Sequence, residues 1–231
     1  MRELSVMERS VIIVQNGRFA YVGPENEKPP ELLIDEDFDA NGATAVPGFV
    51  DSHTHIPFAG FRESEFNRRL QGETYEEIAA AGGGIAATVR ATRKASEDQL
   101  TANVLARAGT MVRYGTTTAE AKSGYGLDKE NELKQLRAIR EAGARSPVRL
   151  IPTCLAAHDF PPEARGNAAY VSTIIEQILP AVADEKLAVF CDAFVERGAF
   201  SAAQGEAVLR AGVQLGMVPR QIGRASCRER V

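Results

Sequence analysis

An α/β fold built on a parallel sheet is what this sequence predicts, and three observations predict it. From Val46 onward, short apolar or β-branched runs alternate with stretches of helical period, the order that gives parallel strands covered by crossover helices. Capping and stop signals bound those stretches: Ser96 with Gln99 and Ser201 with Gln204 read as capping boxes, and Gly115, Gly143 and Pro147 as stops. The polar residues with chemistry to offer, His53, His55, Lys122, Tyr125 and His158, each fall just after a predicted strand. A doubly wound sheet and a (β/α)8 barrel both satisfy the first two observations. The third favours the barrel, whose strand C-termini converge on one mouth.

The chain before Val46 has a different character. Val11–Val14 and Arg18–Gly23 are short strand-like runs joined by Asn16-Gly17, a tight hairpin signal. Pro29-Pro30 and the acidic Asp35–Asp37 mark a loop, and Asp39–Ala45 is expected to add a strand with Asn41-Gly42 as its turn. In the second region, Val46–Val50 leads the alternation. A long excursion follows from Pro57 to Lys94, with a short helix expected over Thr74–Ala81. Gly82-Gly83-Gly84 lacks the Lys-Ser/Thr of a phosphate-binding loop and reads as a turn. Leu100, Val104, Leu105, Ala108, Met111 and Val112 repeat at helical spacing. Thr116–Glu120 is a β-branched strand. Asp128 caps a helix whose buried face carries Leu133, Leu136 and Ile139. Val148–Ala156 reads as a strand with Pro152 awkwardly inside it. A helix over Tyr170–Val182, a strand over Leu187–Phe194, a helix to Gly212 and a strand over Val213–Val218 complete the pattern.

Composition excludes several functions. The 231 residues are 44% hydrophobic and 25% charged, and net charge is −4, ordinary for a soluble domain. A pI near 5.6 and the absence of Trp argue against a nucleic-acid surface. No apolar run approaches the roughly 20 residues of a membrane span. Three scattered cysteines, Cys154, Cys191 and Cys227, suit neither a disulfide framework nor a zinc knuckle. A reducing cytoplasm is the expected location.

The stretch Val46-Pro47-Gly48-Phe49-Val50-Asp51-Ser52-His53-Thr54-His55 carries the strongest chemical signal. Residues two apart on a strand share a face, so His53 and His55 can share one metal ion, and imidazole suits zinc or iron. Two neighbouring histidines without a metal are the plain alternative. The longer string decides between them: Pro-Gly-Phe-Val-Asp-x-His-Thr-His resembles the first-strand signature of the metal-dependent amidohydrolase superfamily. His53–Arg62, Leu70-Gln71-Gly72, Gly82–Ile85, Tyr114–Leu127, Ala157-His158 and Pro161-Pro162-Glu163 resemble imidazolonepropionase. The resemblance covers roughly Gly17 to Gly216.

That resemblance implies a (β/α)8 TIM-like barrel. About 250 residues are typical for such a barrel, so this chain is expected to hold it truncated after about four to five strands, preceded by a small N-terminal β module. The expected domains are 1–45, the N-terminal part of a β-sandwich module, 46–220, the first half of the barrel, and 221–231, a non-native tail without core pattern. The resemblance further implies hydrolysis of the cyclic amide of 4-imidazolone-5-propanoate to N-formimidoyl-L-glutamate. It makes His53 and His55 ligands of one zinc or iron ion. It makes Arg62 the clamp on the substrate carboxylate, and Tyr125 and His158 its ring contacts. The general acid/base and remaining ligands are expected outside this sequence, and the chain by itself is expected to be inactive. A homodimer of the full-length parent is compatible with it; nucleic acid and membrane are not expected partners.

Read singly, each residue has a plainer role: Arg62 a solvated surface arginine, Tyr125 a packed loop aromatic, His158 a structural histidine. A binuclear cyclic amidase would need a bridging lysine near Cys191–Glu196, and none is there. Another mononuclear amidohydrolase, opening a cyclic amide or deaminating a heterocycle, and a non-catalytic β/α binding module are the other readings.

Overall fold

The computed structural model describes residues 6–164, 168–196 and 199–223, which fall into two compact units, Met1–Val46 and Pro47–Val231. In the first unit, β1 (Ser10–Gln15) and β2 (Arg18–Pro24) pair antiparallel, Ser10 opposite Pro24 and Gln15 opposite Arg18. Asn16 and Gly17 both take positive φ, 52° and 70°, as a two-residue hairpin turn requires. The strand expected over Asp39–Ala45 does not form. Asp39 Oδ1 instead accepts the Asn41 N–H at 2.7 Å, and Asn41 and Gly42 sit at positive φ. A side-chain-closed turn in the middle of seven residues leaves too little extended chain on either side to pair.

The second unit runs β3 (Phe49–Thr54), α1 (Glu63–Leu70), α2 (Tyr75–Ala80), α3 (Ile85–Lys94), α4 (Glu97–Arg113), β4 (Thr116–Lys122), α5 (Lys129–Arg145), β5 (Arg149–Ala157), α6 (Ala168–Thr173), α7 (Leu179–Asp184), β6 (Phe190–Val195), α8 (Ala202–Gln214) and β7 (Val218–Gly223). Its five strands are parallel, in the order β3-β4-β5-β6-β7. That order settles the alternative left open by the sequence. A doubly wound sheet reverses direction at a switch point, whereas here each strand is laid beside its predecessor, as in a barrel wall. Both outer strands leave apolar side chains exposed, Phe49, Val50 and Val218 among them.

Helices pack on the sheet through one large core. Val104 of α4, Leu133, Leu136 and Ile139 of α5, Val182 of α7 and Val208 of α8 join Cys154, Ala156, Cys191 and Ala193 of the sheet. Both capping boxes form, Ser96 with Gln99 and Ser201 with Gln204, and Asp128 caps α5 through the Asn131 N–H. The Pro57–Lys94 excursion is more helical than its sequence suggests. It holds α1, which buries no residue, and α3, which opens at Gly84 with φ 66° and ψ −147°, a backbone region open only to glycine.

Three further elements differ from expectation. The helix expected over Tyr170–Val182 contains a π turn, Ile174–Ile178, between α6 and α7. Pro180 explains it: proline has no N–H to give and its ring crowds the carbonyl four residues back, and a widened turn relieves both. Pro152 sits inside a central strand after all. Its carbonyl accepts the Val189 N–H at 3.0 Å, and the β5–β6 ladder begins one residue later at Thr153 opposite Phe190, so its missing donor falls before pairing starts. The last strand is Val218–Gly223, not Val213–Val218. α8 continues through Gln214, and Gly216 at φ 85° makes the turn. Residues 221–223, assigned to the tail on sequence grounds, pair with β6; residues 224–231 of that segment lie outside the described residues.

Gly212 lets α8 lie on β6: an added Cβ would stand 2.7 Å from Cys191 Cβ. Gly212→Ala is expected to lower stability by about 1–3 kcal/mol through overpacking. Gly109→Ala on the exposed face of α4, where nothing lies within 4 Å, is expected to raise it by about 0.4–1 kcal/mol. Urea unfolding of the two variants checks the contrast.

Candidate active site at the strand C-termini

Four aromatic rings converge where β3, β4 and β5 end. His53 and His55 lie with ring centroids 5.1 Å apart, His55 stacks on His158 at 4.7 Å, and Tyr125 stands edge-on to His158 at 5.2 Å and 5.4 Å from His55. Each arrives from a different place. His53 lies within β3 and His55 one residue past it, Tyr125 in the loop after β4, His158 just beyond β5. Two bulges aim them. Between Asp51 and Thr54, β3 advances three residues while β4 advances two, and β5 does the same against β6 between Cys154 and Ala157. An added residue bends the strand end and re-aims its side chains.

Arg62 is placed differently. It sits at the start of α1, 42% exposed, with its guanidinium 3.9 Å from Glu65, and is not part of the ring cluster.

The nitrogens of this cluster are unequally committed. His158 Nδ1 lies 2.9 Å from the Gly124 carbonyl oxygen. That oxygen only accepts, so Nδ1 carries the proton and Nε2 keeps its lone pair. His55 Nδ1 is buried and has no hydrogen-bond partner. Burial, helped by His158, His53 and Lys122, pushes the His55 imidazole down to about 3, against a hydrogen bond to the Ser123 backbone. Burial likewise lowers His158. Neutral imidazoles with an unfilled buried nitrogen fit part of a metal site. Among the described residues, no group of three or more His, Cys, Asp and Glu side chains is disposed to hold an ion together.

Beneath the rings lies a buried ion cluster. Lys122, 1% exposed, places Nζ 2.6 Å from Asp192 Oδ2 on β6 and 2.9 Å from Glu120 Oε2 on its own strand. Glu120 Oε1 accepts the Thr153 hydroxyl at 2.6 Å and lies 3.4 Å from Arg220 of β7. From the sequence, Lys122 stood out only as a polar residue at a strand end, and Glu120 and Asp192 only as members of predicted strands. The signal was present: a carboxylate inside an otherwise apolar strand needs a buried partner.

The loops around the rings are held by side chains that no motif marked. After His55, Arg107 donates to the Ile56 and Phe58 carbonyls at 2.6 and 2.8 Å, Gln135 to that of Pro57 at 2.7 Å, and Asn103 to Phe58 at 3.2 Å. Arg93 donates to the Gly126 and Leu127 carbonyls in the Tyr125 loop. A groove of about 550 Å³ between α8, β6 and β7, lined by Leu209, Val213 and Pro219, holds none of these groups.

The fold has a counterpart among solved structures. The chain superposes with TM-score 0.64 on 5-methylcytosine deaminase from Klebsiella pneumoniae, at 15% identity, over 95% of this chain and 48% of that one, a likeness of fold. The first-strand string Pro47–His55, which resembles the metal-dependent amidohydrolase signature, runs through β3 of that fold. Sequence relatives narrow the class. Imidazolonepropionase from Myxococcus xanthus is 54% identical over 214 residues, 91% of this chain and 51% of the relative. Those from Pseudomonas entomophila and Haloarcula marismortui are 51% and 45% identical over 203 and 223 residues. No family model matches. The chain is homologous to imidazolonepropionases, and it spans about half the length of these relatives.

The depressed His55 has a measurable consequence in the chain without added metal. Between the ordinary value of 6.5 and about 3 the folded chain holds fewer protons at His55 than the unfolded chain, so its contribution to stability falls as pH drops through that window. Ring-proton NMR is expected to show His55 still neutral at pH 5, and urea midpoints to fall on acidification less steeply in His55→Phe. A His55 midpoint near 6.5 would refute the burial argument.

Proposed function

We propose that this chain supplies the first-strand ligands and the substrate-ring contacts of an imidazolonepropionase, which opens the cyclic amide of 4-imidazolone-5-propanoate to N-formimidoyl-L-glutamate. The observation that carries the reading is 54% identity to the Myxococcus xanthus enzyme along 91% of the chain. His53 and His55 would hold one zinc or iron ion, His55 through its unpartnered Nδ1. When bound, such an ion supplies Lewis acidity and lowers the pKa of water.

The chain's own residues do the rest of what can be assigned here. His158, its proton committed to the Gly124 carbonyl, offers Nε2 as an acceptor to a ring N–H. The Tyr125 ring supplies a face against which a flat heterocycle can lie, and its neighbours Gly124 and Gly126 carry no side chain to obstruct it. Arg62, which among the described residues makes no more than a long ion pair to Glu65, has a planar fork that can take a propionate carboxylate. Buried free thiols at Cys154 and Cys191 suit a reducing compartment, and the cytoplasm is the proposed location. Among the described residues, no helix is long and apolar enough to cross a membrane.

The test uses this chain joined to the half of the Myxococcus xanthus relative that it does not cover. The joined protein is expected to hydrolyse 4-imidazolone-5-propanoate and to carry one zinc or iron per chain by elemental analysis, with His55→Ala losing most of that metal. The 231-residue chain assayed beside it is expected to show no turnover, since two histidines are fewer than the three protein ligands usual for a catalytic zinc. A joined protein that folds, binds metal and leaves this substrate untouched would sink the proposal.

Arg62→Ala in the same protein is expected to cost about 2–5 kcal/mol in kcat/KM, the range for removing one partner of a close charge pair. Metal content should stay unchanged. An unaltered kcat/KM would return Arg62 to the surface.

A further inference from the structure

One face of α5 holds two loops of the ring cluster at once. Glu132 is fully buried, and its carboxylate accepts from the backbone: Oε2 from Gly124 at 3.1 Å, Oε1 from Gly126 and Leu127 at 2.8 Å each. Three N–H groups of the Tyr125 loop therefore point at one side chain. Gln135, also fully buried and one helical turn on, accepts the Tyr125 N–H at 3.1 Å and donates to the Pro57 carbonyl at 2.7 Å. It thus ties the Tyr125 loop to the loop that follows His55. The glycines make this possible. A Cβ on Gly126 would stand 2.4 Å from the Glu132 nitrogen, and one on Gly124, at φ 110°, 2.8 Å from the Leu155 carbonyl oxygen.

We infer that Glu132 and Gln135 are positioning residues: they set the Gly124 carbonyl that fixes the His158 tautomer and hold Tyr125 in register with the His55 loop. The inference rests on reading Tyr125 and His158 as substrate contacts. Neither α5 residue touches the ring cluster with its own side chain in the hydrogen bonds described, so each acts through backbone. The chemistry demands a carboxylate at 132. Two oxygens with several lone pairs accept three N–H groups; a glutamine has one oxygen, and its amide would turn a donor towards either Gly124 or the Gly126–Leu127 pair. An unmet buried N–H costs the desolvation of that group. Relief comes from moving the loop, and the Gly124 carbonyl moves with it. At 135 the requirement is the reverse: one acceptor and one donor on one group, which an amide has and a carboxylate lacks.

The test begins in the 231-residue chain, without turnover. Glu132→Gln is expected to keep the helix signal by circular dichroism while amide exchange at Gly124, Gly126 and Leu127 quickens about tenfold or more, the scale of one unsatisfied buried donor. Its imidazole nitrogen signals should show His158 leaving the Nδ1-protonated tautomer. Gln135→Glu is expected to keep the Tyr125 amide protected and to lose protection around Pro57–Ala59. In the joined protein either variant should raise KM about tenfold at unchanged metal content. A folded Glu132→Gln with unaltered His158 signals and amide protection overturns the inference. Should that variant not fold, Gln135→Glu decides: unchanged exchange around Pro57–Ala59 and unchanged KM overturn it equally. Because the nitrogen signals need no substrate, failure of the proposed hydrolysis would leave this result readable.

Discussion

A buried ammonium cannot stand alone. Lys122 is nearly inaccessible, and desolvating its charge is tolerable only because Asp192 and Glu120 flank it. Those partners lie on β6 and β4, with β5 between them, and Glu120 reaches Thr153 of β5 and Arg220 of β7. One cluster therefore ties four adjacent strands together from a single face. A sheet whose side chains must meet across an intervening strand has to bend towards that face, and the bend brings the strand C-termini together. The ring cluster depends on it: His55, Tyr125 and His158 come from three strands and meet only because the sheet curls. Replacing one member would leave a charge buried without its partner, which costs more than the pair itself contributes.

Above the ions, the same problem recurs for the backbone. Loops that follow parallel strands lose the ladder that satisfied their peptide groups. Here, side chains take over. Glu132 collects N–H groups of the Tyr125 loop, Arg93 its carbonyls, and Arg107, Asn103 and Gln135 the carbonyls after His55. The guanidinium of Arg107 also lies 3.6 Å from the centre of the Phe58 ring. Such loops are irregular in path yet bonded at many of their peptide groups, which is how a ring-sized site can be held in place. The helices that cover the barrel wall thus have two jobs, burying the sheet and aiming the loops.

What could be read from residue order was whatever depends on neighbours in the chain. Capping boxes at Ser96 and Ser201, the Asn16-Gly17 turn, the buried stripe of α5 and the succession of strands and helices all come from local periodicity and local hydrogen bonding. His53 and His55 announced themselves because they are two residues apart. Local rules also misled where a distant partner decided. Asp39–Ala45 found no strand to pair with. Pro152 lay in a central strand because its missing donor fell before the β6 ladder. The last strand began five residues late because α8 ran on to Gln214 and the chain turned only at Gly216.

The remainder belonged to tertiary structure, for one reason: burial is a property of the fold and not of a residue. Glu120, Lys122, Glu132, Gln135 and Asp192 look on paper like ordinary polar side chains, and each is at most 4% exposed. Several of their partners lie tens of residues away, Lys122 and Asp192 seventy apart and Gln135 and Pro57 seventy-eight, a separation no periodicity can signal. The sequence by itself determined which residues could do chemistry and, for most segments, whether they would be strand or helix. Only the folded sheet decided which of those residues meet, because the charges and peptide groups it takes out of water have to find one another across strands.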